Sequence, residues 1–370
     1  MSHILDTART ALRKTYGEDF VPDGATQQVQ LGFIPCGIST QSLVLDLCIG
    51  RPGIPCGRVT NILGLDGEGK STLAMHILAE CFRLGGIAGV QDSEAAHEDY
   101  RLYQLGVTAE MFENRQPLIP SNLEELYDMS FTFIKSIGKQ MRGKPWMLLL
   151  DSMDGLHTEA QMDADTEDSL PMADARLNGV QFPRLCNYAG IYKCAIVAVS
   201  RLTTKMNQGF GAARWGQGEQ LDTKGGKAIK FGSTLRFHVK KGKVEEDKSA
   251  MLTKVDIIKN KVAPPFQIAE YRLDFNNGID KYYDLWEAGK KMKMISGGGG
   301  GRYIVHFKKD ELRIYQKDWV QVVKDKGGPD RLRELMTKRA IRKGLIRPYG
   351  IQEIPLAECE AERSPEGDVT

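Results

Sequence analysis

A glycine-rich segment beginning at residue 64 has the residue types and spacing that bind phosphate. Its sequence, GLDGEGKS, fits the pattern GxxxxGK[ST] and lies between the apolar run VTNIL and the helical pattern STLAMHILAECF. Glycines let backbone N–H groups turn toward a phosphate at a helix N-terminus. Lys70 adds a positive charge toward the β- and γ-phosphate oxygens, and Ser71 offers a hydroxyl to Mg²⁺. The segment predicts a nucleoside triphosphate site with contacts from Gly64, Asp66, Gly67, Glu68, Gly69, Lys70, Ser71 and Thr72.

Two carboxylates that follow apolar runs are candidates for the chemistry of this site. Asp151 ends the run WMLLLD, where a carboxylate reaches the magnesium shell beside a phosphate loop. Glu94 follows GIAGVQD, and a carboxylate there orients or deprotonates an attacking water. The alternatives are a loop cap for Asp151 and a solvated loop acid for Glu94. A phosphate loop in the same sheet favours the functional interpretation of both.

Alternating apolar and helical segments must position these residues. From residue 57 onward, short apolar runs alternate with patterns of helical period, which is typical of a parallel sheet with crossover helices. The runs WMLLL and AIVAV are apolar throughout, as in strands buried on both faces. Later strands near 234–241, 253–261 and 266–275 are expected to be antiparallel additions. The sequence therefore predicts an α/β fold with a mostly parallel twisted sheet flanked by helices, a short N-terminal helix and a small α/β C-terminal region.

Composition excludes several classes of protein. The chain has 370 residues, of which 41% are hydrophobic and 26% charged, and its formal net charge is +2. These values argue against disorder and against a uniformly basic DNA-coating protein. The seven cysteines include no CxxC pair, so we expect reduced thiols rather than a disulfide framework or a zinc knuckle. No apolar run approaches the roughly 20 residues that span a bilayer, and no signal peptide begins the chain, so we expect a cytosolic protein without a membrane partner.

Local charge is far less balanced than the total. Residues 201–243 contain ten basic and two acidic side chains, and residues 290–347 contain 17 basic and six acidic ones. The last twenty residues reverse the sign, with six acidic side chains and one basic. Either basic stretch alone could be only a solvated face. The alternative is two polyanion-binding surfaces and an acidic tail that competes for them.

The region around the phosphate loop resembles the core of RecA-type strand-exchange recombinases. The likeness begins at ISTQSLVLDLCIGRPGIPCG and continues through QDSEAA, LYQLGV, MLLLDSMDGL, KGGKAIKF and KNKVAPPF, covering roughly residues 1–295. Several changed family positions favour a phage-encoded member. The resemblance implies a RecA-like P-loop ATPase core that uses ATP and Mg²⁺. It also implies that Glu94 is the catalytic carboxylate, that Asp151 is the Walker B acid, and that Glu98 and Tyr100 lie near adenine.

Two lysines on a later strand have a spacing that suits polyphosphate. Lys259 and Lys261 are two residues apart, so on a strand their amines share one face about 7 Å apart. Two exposed strand lysines without a ligand are the alternative. In RecA-like filaments the matching pair reaches ATP bound by the neighbouring subunit. The resemblance therefore implies that nucleotide joins subunits, and that both lysines act with Glu94 and Lys70 in hydrolysis.

Two loops are candidates for binding single-stranded DNA. Residues 203–223 combine glycine and polar residues with aromatic side chains and cations, which suits base stacking and phosphate contacts. By resemblance this is the second DNA-binding loop, and residues 156–179 are the first, although an acidic run there argues against DNA. Arg201 stands where bacterial members carry a γ-phosphate-sensing glutamine, so it either senses that phosphate or binds DNA. The candidate contacts are Pro171, Met172, Arg176, Arg201, Lys205, Phe210, Arg214, Trp215, Lys227 and Lys230.

These features predict an ATP-dependent homologous DNA recombinase. It would form a filament on single-stranded DNA, pair that strand with homologous duplex, and hydrolyse ATP in response to DNA. The alternatives are a RecA-fold hexameric helicase, a non-catalytic ATP-clamped filament on single-stranded DNA and, least favoured, a small-molecule kinase. We expect four regions: an N-terminal helix and polymerisation segment (1–35), the ATPase core with its DNA-binding loops (36–295), a small basic domain (296–350) and an acidic tail (351–370).

Overall fold

The computed structural model describes residues 2–16, 32–93, 99–141, 143–162, 173–204, 221–223, 227–307 and 311–350. None of the helices in these ranges is long and apolar enough to cross a lipid bilayer. The helices are α1 (Ser2–Tyr16), α2 (Leu43–Ile49), α3 (Lys70–Arg83), α4 (Asp99–Gln104), α5 (Ala109–Phe112), α6 (Leu123–Ile137), α7 (Glu159–Met162), α8 (Ala173–Tyr192), α9 (Lys227–Gly232), α10 (Lys281–Lys291), α11 (Trp319–Asp325) and α12 (Pro329–Arg342). The strands are β1 (Gly37–Ile38), β2 (Ile54–Pro55), β3 (Val59–Gly64), β4 (Ala88–Asp92), β5 (Arg115–Leu118), β6 (Met147–Asp151), β7 (Ala195–Thr204), β8 (Leu221–Thr223), β9 (Leu235–Val244), β10 (Ala250–Asn260), β11 (Ile268–Asp274), β12 (Gly278–Ile279), β13 (Ile295–Gly297), β14 (Arg302–His306) and β15 (Glu311–Tyr315).

A ten-stranded mixed sheet lies at the centre, in the order β12-β11-β10-β9-β3-β7-β6-β4-β5, with β8 paired to β7. Neighbouring strands from β9 to β5 run parallel, so the predicted α/β fold with a mostly parallel sheet is confirmed. The expected antiparallel pairing is found between β9 and β10 and between β10 and β11, but on its other side β9 runs parallel to β3, which the expectation missed. The reason is that the chain enters β9 after α9, and a crossover through a helix returns the next strand in the same direction.

The central strands are buried on both faces. Every residue of β3 and of β6 is buried, as the apolar run WMLLL predicts for β6. One core packs α2, α3 and α10 against the sheet, and a second core packs α6 and α8 against its other face. Because β3, β4, β6 and β7 are parallel, the segments that follow them emerge at one edge of the sheet. That edge carries the phosphate loop and Asp151.

A smaller sheet, β13-β14-β15, forms the C-terminal region together with α11 and α12. Its apolar side joins the core around the large sheet through Trp286 of α10. The Trp286 ring lies edge-on against Tyr303 and Trp319, with ring centres 4.8 Å and 5.5 Å apart. The start expected for this region, residue 296, falls inside β13.

A buried carboxylate joins α10 to the N-terminus of α2. Asp284 accepts hydrogen bonds from the Ser42 hydroxyl and from the backbone N–H of Leu43. Burial raises the pKa of Asp284 to about 6. The carboxylate satisfies N–H groups at the start of α2 that have no partner within that helix.

A buried histidine links α3 to β12, and it makes stability depend on pH. His76 accepts a hydrogen bond at Nε2 from the backbone N–H of Ile279 (3.0 Å), and its Nδ1 lies 2.8 Å from Gln41 Oε1. Since Nε2 is an acceptor, the ring is neutral and Nδ1–H donates. Burial lowers the pKa of His76 to about 3.

Acidification should therefore destabilise the fold through His76. The pKa is lower in the folded than in the unfolded chain, so the stabilisation is complete above pH 6.5 and is lost as pH falls toward 3. At pH 4.5 we expect His76 to lower the free energy of unfolding by about 3 kcal/mol relative to pH 7. Urea unfolding of the wild type and of His76→Gln, which keeps an acceptor without a titration, measures the difference. An equal pH dependence in both proteins would contradict this prediction.

Candidate nucleotide and DNA sites

The phosphate loop connects β3 to α3 in the conformation its glycines allow. Gly67 and Gly69 have φ values of 74° and 93°, in the region that favours glycine. A Cβ on Gly64 would lie 2.6 Å from the Val239 carbonyl oxygen, so no larger residue fits there. Lys70 is only 8% exposed, and its Nζ donates to the Leu65 carbonyl at 2.7 Å. The loop is therefore held in shape by its own backbone and by Lys70.

Glu68 has a different position from the one expected of a nucleotide contact. Its carboxylate accepts hydrogen bonds from the backbone N–H of Leu65 and, at 3.3 Å, from that of Lys241 on β9. The side chain thus braces the loop against the sheet. Its backbone N–H remains the part of this residue that could face phosphate.

A cleft of about 400 Å³ opens beside the loop. Asp66, Gly67, Gly69, Lys70, Ser71 and Thr72 line it from the loop and α3, and Asp151 and Ser152 line it from the end of β6. The structure thus brings six of the eight predicted loop residues to one cleft with Asp151. Gly64 and Glu68 support the loop from behind.

The donor set of the cleft fits a triphosphate that carries magnesium. Lys70 supplies a charge for phosphate, and Ser71 and Asp151 supply oxygen ligands of the kind that Mg²⁺ prefers. Within the described ranges, no three His, Cys, Asp or Glu side chains gather into a metal site. Phosphate oxygens and water would therefore complete the magnesium shell.

Arg201 lies in the same cleft. Arg201, on β7, lies opposite Gly64 of β3 in the parallel pair. Its Nε lies 3.4 Å from Asp66 Oδ1. The same Asp66 oxygen lies 3.7 Å from Lys70 Nζ. Asp66 is 75% exposed, so these are weak ion pairs in water. A triphosphate in the cleft would compete with Asp66 for both cations.

Arg101 and Phe275 are among the cleft residues that the sequence did not predict. Arg101 of α4 donates from Nη1 to the carbonyl oxygens of Phe275 (2.7 Å) and Asn276 (3.0 Å). Both Arg101 and Phe275 line the cleft away from the loop. Tyr100, the expected adenine neighbour, is 66% exposed and does not line it.

Lys259 and Lys261 lie at the opposite edge of the sheet from the phosphate loop. The prediction that both are on one strand is wrong, because β10 ends at Asn260. Lys261 follows the strand, and its backbone N–H donates to the Thr234 carbonyl (3.1 Å). Lys259 pairs with Arg236 near the start of β9, and β9 runs parallel to β3, whose carboxyl end carries the loop. Lys259 Nζ donates to the carbonyl oxygens of Lys230 (2.7 Å) and Phe231 (2.9 Å) in the last turn of α9. Burial and the neighbouring Lys261 and Arg236 lower the pKa of Lys259 to about 8.

The part of the chain that contains the phosphate loop and both lysines matches a known family. Residues 3–280 match the model of the RecA N-terminal domain. The chain belongs to the RecA family. It is 32% identical over 299 residues to Protein RecA of Rhodopirellula baltica, which covers 80% of this chain and 74% of that one. It is 29% identical over 312 residues to Protein RecA of Brucella suis, covering 84% and 81%.

RecA-family proteins bind ATP and DNA, act in DNA recombination and repair, and are ATPases that generally use Mg²⁺. The relation to Protein RecA of Bartonella bacilliformis is similar, at 31% identity over 267 residues.

Many residues expected to bind DNA lie outside the described part of this RecA-family chain. Among those described, Arg176 is exposed near the start of α8, and Lys227 and Lys230 are exposed on α9. Lys227 and Lys230 follow the second proposed DNA loop, whereas Arg176 lies within the first, in a part that the structure shows as helix α8. The candidates outside the described residues are Pro171, Met172, Lys205, Phe210, Arg214 and Trp215.

Glu94 and Glu98 also lie outside the described residues, but the residue before them is placed. The Ser93 backbone N–H donates to the Asp151 carbonyl at 2.9 Å, and the Ser93 hydroxyl donates to the Ser152 carbonyl at 3.0 Å. Ser93 therefore lies beside the end of β6.

Proposed function

We propose that the protein is a DNA-dependent ATPase that forms a filament on single-stranded DNA and pairs that strand with homologous duplex. The observation that supports this best is the separation of the phosphate loop from Lys259 and Lys261, at opposite edges of one sheet. The two halves of a triphosphate site then meet only when copies of the chain stack head to tail. Contacts of that kind give an open helix when the rotation between copies does not close a ring.

In this proposal the cleft of one chain holds ATP. Lys70 and the backbone N–H groups of the loop hold the phosphates, and Ser71 and Asp151 are the magnesium ligands. Magnesium, when bound, neutralises charge on the phosphate oxygens. Glu94 orients the attacking water. Lys259 and Lys261 of the next subunit add two positive charges, so hydrolysis responds to assembly.

The DNA side of the proposal rests on cations and aromatic side chains in two segments. Arg176, Lys227 and Lys230 hold phosphates together with Lys205 and Arg214. Phe210, Trp215, Pro171 and Met172 stack on bases or separate them. Watson–Crick pairing then reads the sequence of the duplex. ATP between subunits acts as the switch between tight and loose DNA binding, and hydrolysis releases the strand.

Electron microscopy with single-stranded DNA and ATPγS tests this function. We expect helical filaments that disappear at high salt, because phosphate contacts dominate the affinity. Lys70→Ala is the matched control and should form none. Closed rings would favour the helicase instead, and monomers would favour the kinase. Filaments without phosphate release from ATP would identify a non-catalytic clamp.

Two finer expectations belong to the same proposal. Origin in a phage is suggested by changed family positions such as Ser200-Arg201, and it stays a prediction. A cytosolic location also stays a prediction.

A further inference from the structure

Two cysteines face each other across a short antiparallel ribbon near the N-terminal end of the core. β1 and β2 pair with Gly37 opposite Pro55 and Ile38 opposite Ile54, so the next opposed pair is Cys36 and Cys56. The Cys56 backbone N–H donates to the Cys36 carbonyl at 3.0 Å. Directly opposed residues put their side chains on the same face of a ribbon.

The distance across such a pair suits a disulfide. Hydrogen-bonded residues of an antiparallel pair have Cα atoms about 5.5 Å apart, which is within the range that a disulfide spans. The β1–β2 register places the two thiols side by side on the ribbon, where each affects the other. This contact lowers the pKa of Cys36 and raises that of Cys56.

The two thiols differ in their access to solvent. The more accessible one can attack an oxidant, and the buried one can then resolve the product by attacking its sulfur. Cys36 is partly exposed, whereas Cys56 is fully buried. Two other buried thiols of the described core, those of Cys81 and Cys194, donate to backbone carbonyls instead. Cys81 donates to the Ile87 carbonyl, Cys194 donates to the Ala195 carbonyl, and burial raises the pKa of both.

We propose that Cys36 and Cys56 form a dithiol site that a hydroperoxide oxidises to an intramolecular disulfide. The Cys36 thiolate attacks one peroxide oxygen, which breaks the O–O bond and gives a sulfenic acid and, after protonation, water or an alcohol. The Cys56 sulfur then attacks the Cys36 sulfur and displaces a second water, and its proton leaves with that water. Two thiols and one hydroperoxide become one disulfide, and the peroxide takes up both electrons.

The bond would close the segment 36–56 at a place where distant parts of the chain meet. That segment contains α2, which Asp284 caps from α10. The Tyr349 ring lies against Gly37, and the Gly350 backbone N–H donates to the Ile34 carbonyl at 3.1 Å. A disulfide here lowers the conformational entropy of the unfolded chain. It therefore stabilises the fold against heat. This proposal does not depend on nucleotide or DNA.

Peroxide treatment of the folded full-length chain tests the site. A Cys359→Ser background removes the thiol of the acidic tail and leaves six cysteines. After treatment with hydrogen peroxide and alkylation under denaturing conditions, peptide mapping should show a 36–56 disulfide and four alkylated thiols. Dithiothreitol should restore all six, and the midpoint of thermal unfolding should be higher in the oxidised form.

Single variants separate the two roles. With Cys56→Ser, a dimedone-type reagent should label Cys36, because the sulfenic acid then has no resolving thiol. With Cys36→Ser, neither label nor disulfide should form. Six free thiols in the peroxide-treated Cys359→Ser protein, which is the parent of these variants, would overturn the proposal. A disulfide that forms only in urea would do the same. The parent protein carries the main measurement, so a poorly folded variant does not remove the test.

Discussion

Replacing Lys259 and Lys261 together by alanine is expected to lower DNA-stimulated ATP hydrolysis by about 10³-fold and to prevent filament assembly. The reason is that both amines lie across the sheet from their own phosphate loop, so they serve the triphosphate of a neighbour. ATP binding by the separate subunit should be unchanged, since the cleft keeps Lys70 and Ser71. Phosphate release and electron microscopy measure the two losses, and nucleotide titration measures the retained binding.

Mixing variants tests whether the lysines act between subunits. The double variant has an intact phosphate loop, and Lys70→Ala has intact Lys259 and Lys261. In an equal mixture, roughly a quarter of the head-to-tail contacts would join the intact loop of one to the intact lysines of the other. Hydrolysis should therefore reappear in the mixture although each variant alone is inactive. A mixture no more active than its components would show that the lysines do not work in trans.

A matched variant separates this effect from a general loss of charge or stability. Lys254 lies on the same strand, β10, and its Nζ is 3.5 Å from Glu270 Oε2. The variant Lys254→Ala should leave hydrolysis unchanged. Lys259 also donates to two carbonyls of α9, so its loss should lower the free energy of unfolding by about 1 kcal/mol. A thermal melt should show that the double variant stays folded at the assay temperature.

Arg201→Ala should retain ATP binding but lose DNA-stimulated hydrolysis by about 10³-fold. Arg201 lines the phosphate cleft beside Lys70, with its Nε 3.4 Å from Asp66, so its guanidinium is placed to meet a triphosphate. An arginine that stabilises the transition state contributes more to turnover than to binding. Steady-state hydrolysis at saturating DNA, with nucleotide titration beside it, measures the two effects.

Two comparisons identify which role Arg201 has. Arg201→Lys keeps a charge but loses the planar guanidinium, so it should recover only part of the activity. Arg176→Ala removes an exposed cation outside the cleft and should weaken DNA binding while leaving turnover at saturating DNA intact. If Arg201→Ala behaves like Arg176→Ala, Arg201 is a DNA contact and not a phosphate sensor.

The parts of the site that could be predicted are those set by local sequence. GLDGEGKS requires two positive φ values at its glycines and places Lys70 at the start of a helix, whatever surrounds it. WMLLLD is apolar enough to be a buried strand, so Asp151, its last residue, was expected at the carboxyl end of that strand. The neighbours Arg101 and Phe275 were not predictable in this way, because they reach the cleft from segments 174 residues apart.

The sequence by itself determined the parallel core, its strand–loop–helix phosphate site and the identity of the charges available. Those features depend on hydrophobic periodicity and on backbone conformations that a few adjacent residues dictate. Only the tertiary structure decided that β9 is parallel to β3 although antiparallel to β10, that Glu68 braces its loop, and that Lys259 lies across the sheet from Lys70. Strand order and register bring together residues far apart in the chain, and no local pattern encodes which strands will pair.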